Sequence, residues 1–195
     1  MSQQKFSEAS YGPLCNLTIG FCIFTLTPML LGIVHGPAVA GAFPIIFCAF
    51  PIMVIAVIKM IKQGDLIGGT TNAVCGAVVM GQNGFVALMH LIYSAAGKEM
   101  PPEVLLGNAW FSGFAFVVVG IILFYLTFLL LKVNKATAAC IGIGAIGMCS
   151  FGAYYFLNIA GNPIMIVGLM GAIGLFVLAA HMMYEALKSY LPSGE

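Results

Sequence analysis

The chain has 195 residues, of which 62% are hydrophobic and only 7% charged, with a net charge of +1. A soluble domain carries about a quarter charged residues, so this is the composition of a polytopic membrane protein. Seven lysines and no arginine leave no basic patch to track phosphates and no guanidinium fork to grip a carboxylate, so no nucleic-acid partner is expected.

In chain order, MSQQKFSEAS is too polar to read as a signal peptide. Six apolar stretches follow, each near the roughly 20 helical residues that a bilayer core needs. They are expected at 14–34, 38–61, 70–95, 104–131, 136–157 and 162–188, in one domain covering 1–195. The fold class is therefore an all-α membrane protein. HGP at 35–37, KQGDLIGG at 62–69, AGKEMPPE at 96–103 and KVNK at 132–135 punctuate the spans, and LNIAGNP at 157–163 joins the last two without a charge.

Lysine asymmetry sets the orientation. Lys5, Lys59, Lys62, Lys132, Lys135 and Lys188 fall on one side and Lys98 alone on the other, so both termini are expected in the cytoplasm. Cys15, Cys22, Cys48, Cys75, Cys140 and Cys149 all lie in apolar context with no CxxC pair; they read as small hydrophobes, and no metal or cofactor is expected. No HExxH, GxSxG or Walker loop occurs, so the chain is not expected to be an enzyme.

Ionisable residues within the spans are His90, His181 and Glu185, with Lys59 near an end. Such residues are functional candidates in a membrane. Glu185 is one turn from Lys188 and reads either as an anchor or as part of a transport or gating step. His90 reads as a packing or interfacial group near the outer end of its helix. His181 lies deeper, and structural and proton-linked roles both stay open.

Polar residues cluster at helix starts: Gly12-Pro13 before Asn16 and Thr18, Gly68-Gly69 before Thr70, Thr71 and Asn72, and Gly161-Asn162-Pro163 just after Asn158. Single polar residues can be interhelical glue. Free N–H groups and the positive dipole end also make helix starts attractive to small anions.

The residues Asn158, Ile159, Ala160, Gly161 and Asn162, then Glu185, then Leu191, Pro192, Gly194 and Glu195 resemble the ending of the acetate uptake transporter family, which holds bacterial succinate–acetate permeases and fungal acetate and ammonia transporters. KQGDLIGGTTNAVCG resembles the family's third-helix start through Gly64, Gly68, Thr70 and Gly76, and Gly12, Pro13 and Leu14 match its N-terminal signature. Ser10, Tyr11, Cys15 and Asn16 depart from that signature. The resemblance implies a six-helix protomer with its own pore, assembled as a hexameric ring in the plasma (inner) membrane. It implies passage of acetate, with succinate in some members, as a channel or by proton symport. The family's apolar constriction would fall on Ile19, Cys75 and Gly147, each smaller than in relatives.

The expected function is thus membrane transport of acetate and similar small monocarboxylates. Asn16, Thr18, Thr70, Thr71, Asn72, Asn158 and Asn162 would line the path, and Glu185 and His181 would be possible proton-linked groups. The alternatives are another small solute (formate, lactate or ammonia), a membrane enzyme using His90, His181 and Glu185, or a non-transporting membrane scaffold. The lysine bias makes a direct prediction. An impermeant amine reagent applied to intact cells should modify Lys98 and spare Lys62 and Lys135. Modification of Lys135 from outside would overturn the orientation.

Overall fold

A computed structural model describes residues 11–30 and 33–190. Lys5, Ser10, Leu191, Pro192, Gly194 and Glu195 lie outside the described residues. Helix α1 spans Gly12–Leu30, a 3-10 turn covers Gly36–Gly41, and α2 spans Ala42–Lys62. Helix α3 (Leu66–Gly76), a π-helical stretch (Ala77–Gln82) and α4 (Asn83–Ala95) run on without a break. Helices α5 (Pro102–Leu130), α6 (Lys135–Ile159) and α7 (Met165–Tyr190) complete the chain, with no strand among the described residues.

Six segments are long and apolar enough to cross a bilayer: Gly12–Met29, Gly36–Lys62, Leu66–Ala95, Pro102–Leu130, Lys135–Ile159 and Met165–Tyr190. The chain is a multi-pass membrane protein. Apolar side chains point outward as well as inward, with Phe47, Phe85, Phe111 and Ile166 all more than half exposed. A helix that is hydrophobic all round belongs in lipid, where every backbone polar group must be satisfied within its own segment.

Two span starts differ from expectation by three residues or more, each for a local reason. The third span starts at Leu66 and not near residue 70, because Asp65 caps it: its carboxylate oxygen accepts from Gly68 N at 2.9 Å. An acidic N-cap satisfies an orphan N–H and complements the dipole. Gly68 and Gly69 are consequently inside the helix. The last span starts at Met165, beyond Pro163, leaving Asn162 in the connection. There Gly161 takes φ +75°, the left-handed turn that closes a helix C-terminus and suits glycine. Asn134 caps α6, accepting from Ala136 N and Thr137 N at 3.0 and 3.2 Å.

The third span contains a second departure, the π stretch. Widening a helical turn shifts carbonyls out of register, and such stretches concentrate at functional sites. Here the side-chain amide of Asn83 reaches back to the carbonyls of Val78 and Val79 at 3.0 and 3.2 Å. Asn83 itself is buried, so the repair is made inside the protein.

The spans close into a ring. Helix α5 packs on α6, α6 on α7, α7 on α1 and α1 on α2, while the third span touches α1, α2 and α5. Without a hydrophobic drive between helices in lipid, close packing requires small residues at the seams. A β-carbon added at Gly147 would sit 2.8 Å from Gly174 Cα, and one added at Gly144 2.8 Å from a Leu178 methyl. The α6–α7 seam is thus a backbone-to-backbone contact at Gly147.

This seam yields a stability prediction. A methyl at Gly147 or Gly174 meets backbone that no rotamer change can move, and overpacking of this kind costs about 1–3 kcal/mol. Gly147→Ala and Gly174→Ala should each lower the thermal midpoint of the detergent-solubilised protein. Gly107→Ala on α5, with nothing within 4 Å of the new carbon, should leave it unchanged or raise it through helix propensity. Equal behaviour of all three variants would remove the close seam.

Candidate functional site

Two cavities open at opposite ends of the ring. One lies at the end that carries Lys62, Lys132 and Lys135, with a volume of about 320 Å3. Asn16 on α1, Thr71, Asn72 and Cys75 on α3, and His181 on α7 line it, with Asp65 and Thr137 near the rim. The other, of about 450 Å3, lies at the end that carries Lys98. Asn83 and His90 on α4, Asn108 and Ser112 on α5, and Tyr155 on α6 line it, with His35, Lys98 and Glu99 near the mouth.

The floor of the lysine-rich cavity is an amide pair. Asn72 Nδ2 donates to Asn16 Oδ1 at 3.1 Å and lies 3.9 Å from Met60 Sδ. Asn72 is only 3% exposed, and its Oδ1 has no hydrogen-bond partner among the described residues; neither has His181 Nε2. A buried acceptor left in this state costs about 1–3 kcal/mol. The α1–α3 pairing that forms the floor follows from their parallel course: both begin at the lysine-rich end, so Asn16 and Asn72 stand at matching depth. The Thr71 hydroxyl is already used, donating to Ile67 O at 2.8 Å.

The floor of the Lys98-end cavity is built around the π stretch. Gln82 Nε2 donates to Ser112 Oγ, and Gln82 Oε1 is buried without a partner. Asn72 Oδ1, Gln82 Oε1 and His181 Nε2 are the buried side-chain polar atoms without a partner among the described residues. Asn72 and His181 line the lysine-rich cavity, while Gln82 lines neither cavity and stands behind Ser112 of the other.

Between the floors the ring is filled with apolar groups. Ile19 and Ile23 on α1, Val79 in the π stretch, Phe116 on α5, Met148 and Phe151 on α6 and Leu175 on α7 are all fully buried. The Phe116 and Phe151 rings stand 5.8 Å apart, and Phe116 stacks on Tyr155 at 6.0 Å. From Cys75 to Asn83 the plug is roughly 10 Å thick at about 1.5 Å per helical residue.

The expected path residues separate in space. Asn16, Thr71 and Asn72 come together with Cys75 and His181 in one cavity. Thr18 does not join them: it lines a groove on the outer face between α1 and α2, with its hydroxyl donating to Leu14 O at 2.7 Å. Thr70 is exposed on the opposite side of α3 from Asn72, and Asn158 and Asn162 are exposed at the far end; none of the three lines either cavity. Asp65 already occupies the α3 N-terminus with its own carboxylate, so that start is not a free anion cradle. Of the expected constriction, Ile19 is in the plug and Cys75 sits at its lysine-rich face. Gly147 lines neither cavity and backs onto Gly174. Glu185 lines neither cavity, while the neighbouring Lys188 Nζ stands 5.9 Å from the Tyr184 ring centre.

Gln82, Asn83, Asn108 and Ser112 are missing from the expected path. In sequence each looks like isolated glue. The available signal was spacing: Asn72, Cys75, Val79, Asn83, Val86 and His90 recur every three or four residues and so share one helical face.

The plug predicts one-sided access. In a variant keeping Cys75 as its sole cysteine, a small impermeant thiol reagent should modify it from the lysine-rich side and not from the Lys98 side, read by mass spectrometry on vesicles of each orientation. Equal modification from both sides would remove the plug. No family model, curated protein or solved structure matches this chain.

Proposed function

We propose that the chain is a membrane transport protein in which each copy passes small monocarboxylates of the acetate class through its own ring of helices. The observation that carries the reading is the pair of polar-floored cavities at opposite ends, facing each other across one apolar plug. A path needs solute access from both sides and a barrier that opens only in part of the cycle; a narrow apolar segment provides one by excluding water. The uncharged floors suit a small solute that must bind and then leave, since a fixed cation would hold a carboxylate tightly. Asn16 and His181 at one floor and Ser112 at the other supply donors for a carboxylate, in the absence of any lysine on the floors.

In this reading Asn16, Asn72 and His181 form the inner binding level, and Asn83 and Ser112 the outer one. Ile19, Phe116 and Phe151 form the barrier. Copies assemble as a hexameric ring in the plasma membrane through the exposed apolar outer faces, and both termini face the cytoplasm. Channel and proton-symport operation share this geometry.

Reconstituted vesicles test the reading. Labelled glycolate is the probe, because its extra hydroxyl slows passage through lipid while its carboxylate matches that of acetate. Protein-containing vesicles should take up glycolate at least fivefold faster than protein-free ones, and excess unlabelled acetate should suppress the uptake. Asn16→Leu should slow uptake more than it lowers the amount of folded protein. No protein-dependent uptake of glycolate, formate or lactate would overturn the reading; methylammonium uptake alone would move it to ammonia-type solutes, and no uptake of any of these to a scaffold.

A further inference from the structure

The lysine-rich floor has a chemical deficit. It offers one buried amide oxygen with no partner among the described residues, Asn72 Oδ1, whereas Gln82 lies behind Ser112 and does not line the other cavity. An amide oxygen only accepts hydrogen bonds, and so does a carboxylate. A carboxylate can therefore use the donors at a floor but leaves its amide oxygen unsatisfied, and places two acceptors side by side. A solute with its own N–H or O–H satisfies both.

The donors stand beside the acceptors. Ser112 Oγ accepts from Gln82 Nε2 and keeps its hydroxyl proton to give. At the other floor the two Asn72 N–H groups are turned to Asn16 Oδ1 and Met60 Sδ. That arrangement leaves Asn72 Oδ1 for a solute donor, with Asn16 Nδ2 and His181 nearby to donate. The lysine-rich floor thus sets one acceptor beside donors, which matches the hydrogen-bonding face of a primary amide. Acetamide has the heavy-atom skeleton of acetate, with an NH2 in place of one oxygen. It carries its donors at any pH, whereas a carboxylic acid with an ordinary pKa of about 4 is almost fully ionised at neutrality. An uncharged solute also avoids the cost of moving an ion past a plug that contains no charge.

We propose that the ring also passes small neutral amides of the acetamide and urea class, bound at the lysine-rich floor by the unpartnered amide oxygen of Asn72. This rests on the transport reading above and extends it to a second solute class. No covalent step is involved.

Urea is the probe, because it crosses lipid slowly and its entry is read directly by stopped-flow light scattering of vesicles after an osmotic jump. Vesicles holding the wild-type protein should re-equilibrate with urea at least fivefold faster than empty vesicles. Asn72→Leu and Asn72→Ala, which remove the acceptor, should each return the rate to within twofold of empty vesicles. Elution profile and thermal midpoint check that each variant is folded. If Asn72→Leu does not fold, Asn72→Ala carries the test, because it adds no bulk at the floor. Glycolate uptake without any urea pathway would overturn the amide inference and leave the transport reading standing. Absence of both fluxes would overturn both. A urea pathway that survives both substitutions unchanged would overturn the assignment to the Asn72 oxygen.

Discussion

A bilayer core offers no water to a bare N–H or carbonyl, and that constraint governs this molecule. Each of the six spans satisfies its backbone internally by being helical. Where the ladder slips, at 77–82 in the third span, the repair comes from inside the protein. The Asn83 amide bonds the Val78 and Val79 carbonyls, with the site buried between neighbouring helices. An irregular turn facing lipid would have had no such partner. The only internal slip of helical register in the third span therefore lies where the ring can cover it, beside the polar floor at Asn83 and Ser112.

The same solvent removes the hydrophobic drive between helices and leaves contact distance to hold the ring together. Gly147 against Gly174 and Gly120 against the Ala145 carbonyl bring α5, α6 and α7 to backbone range. These three helices form a compact wall, while the third span sits between α2, α1 and α5. Dense packing on one side and a mixed helix on the other leave the interior apolar and filled at mid-height, with polar side chains near the two ends. The two cavities are the ends of this filled column.

Much of this was legible from residue types alone. The number of spans and their helical class follow from apolar length, whereas Gly161, expected to mark a helix start, closes α6 instead. Boundaries drifted where a side chain overruled the pattern. Asp65 extended the third span backward by capping it, a local hydrogen bond that hydropathy does not register. The π stretch was not legible, since Ala77–Gln82 reads as ordinary helix and its distinguishing feature is the reach of Asn83 to carbonyls four and five residues earlier.

By itself the sequence determined that the chain is helical, multi-pass and nearly free of internal charge, because those properties depend on composition and on segment length against bilayer thickness. It also supplied the polar residues from which a site could be built. Which of them meet was decided only by tertiary structure. Asn16 and Thr18 are two residues apart and point to different faces, since successive helical positions diverge by about 100°. Asn16 and Asn72 are far apart in sequence and bonded at 3.1 Å, because α1 and α3 start at the same end and run in parallel. Thr70, Asn158 and Asn162 share the polarity of the floor residues but not their direction. Whether a polar side chain is a binding group or a surface group depends on helix rotation about its axis, and only packing against the other helices determines that angle.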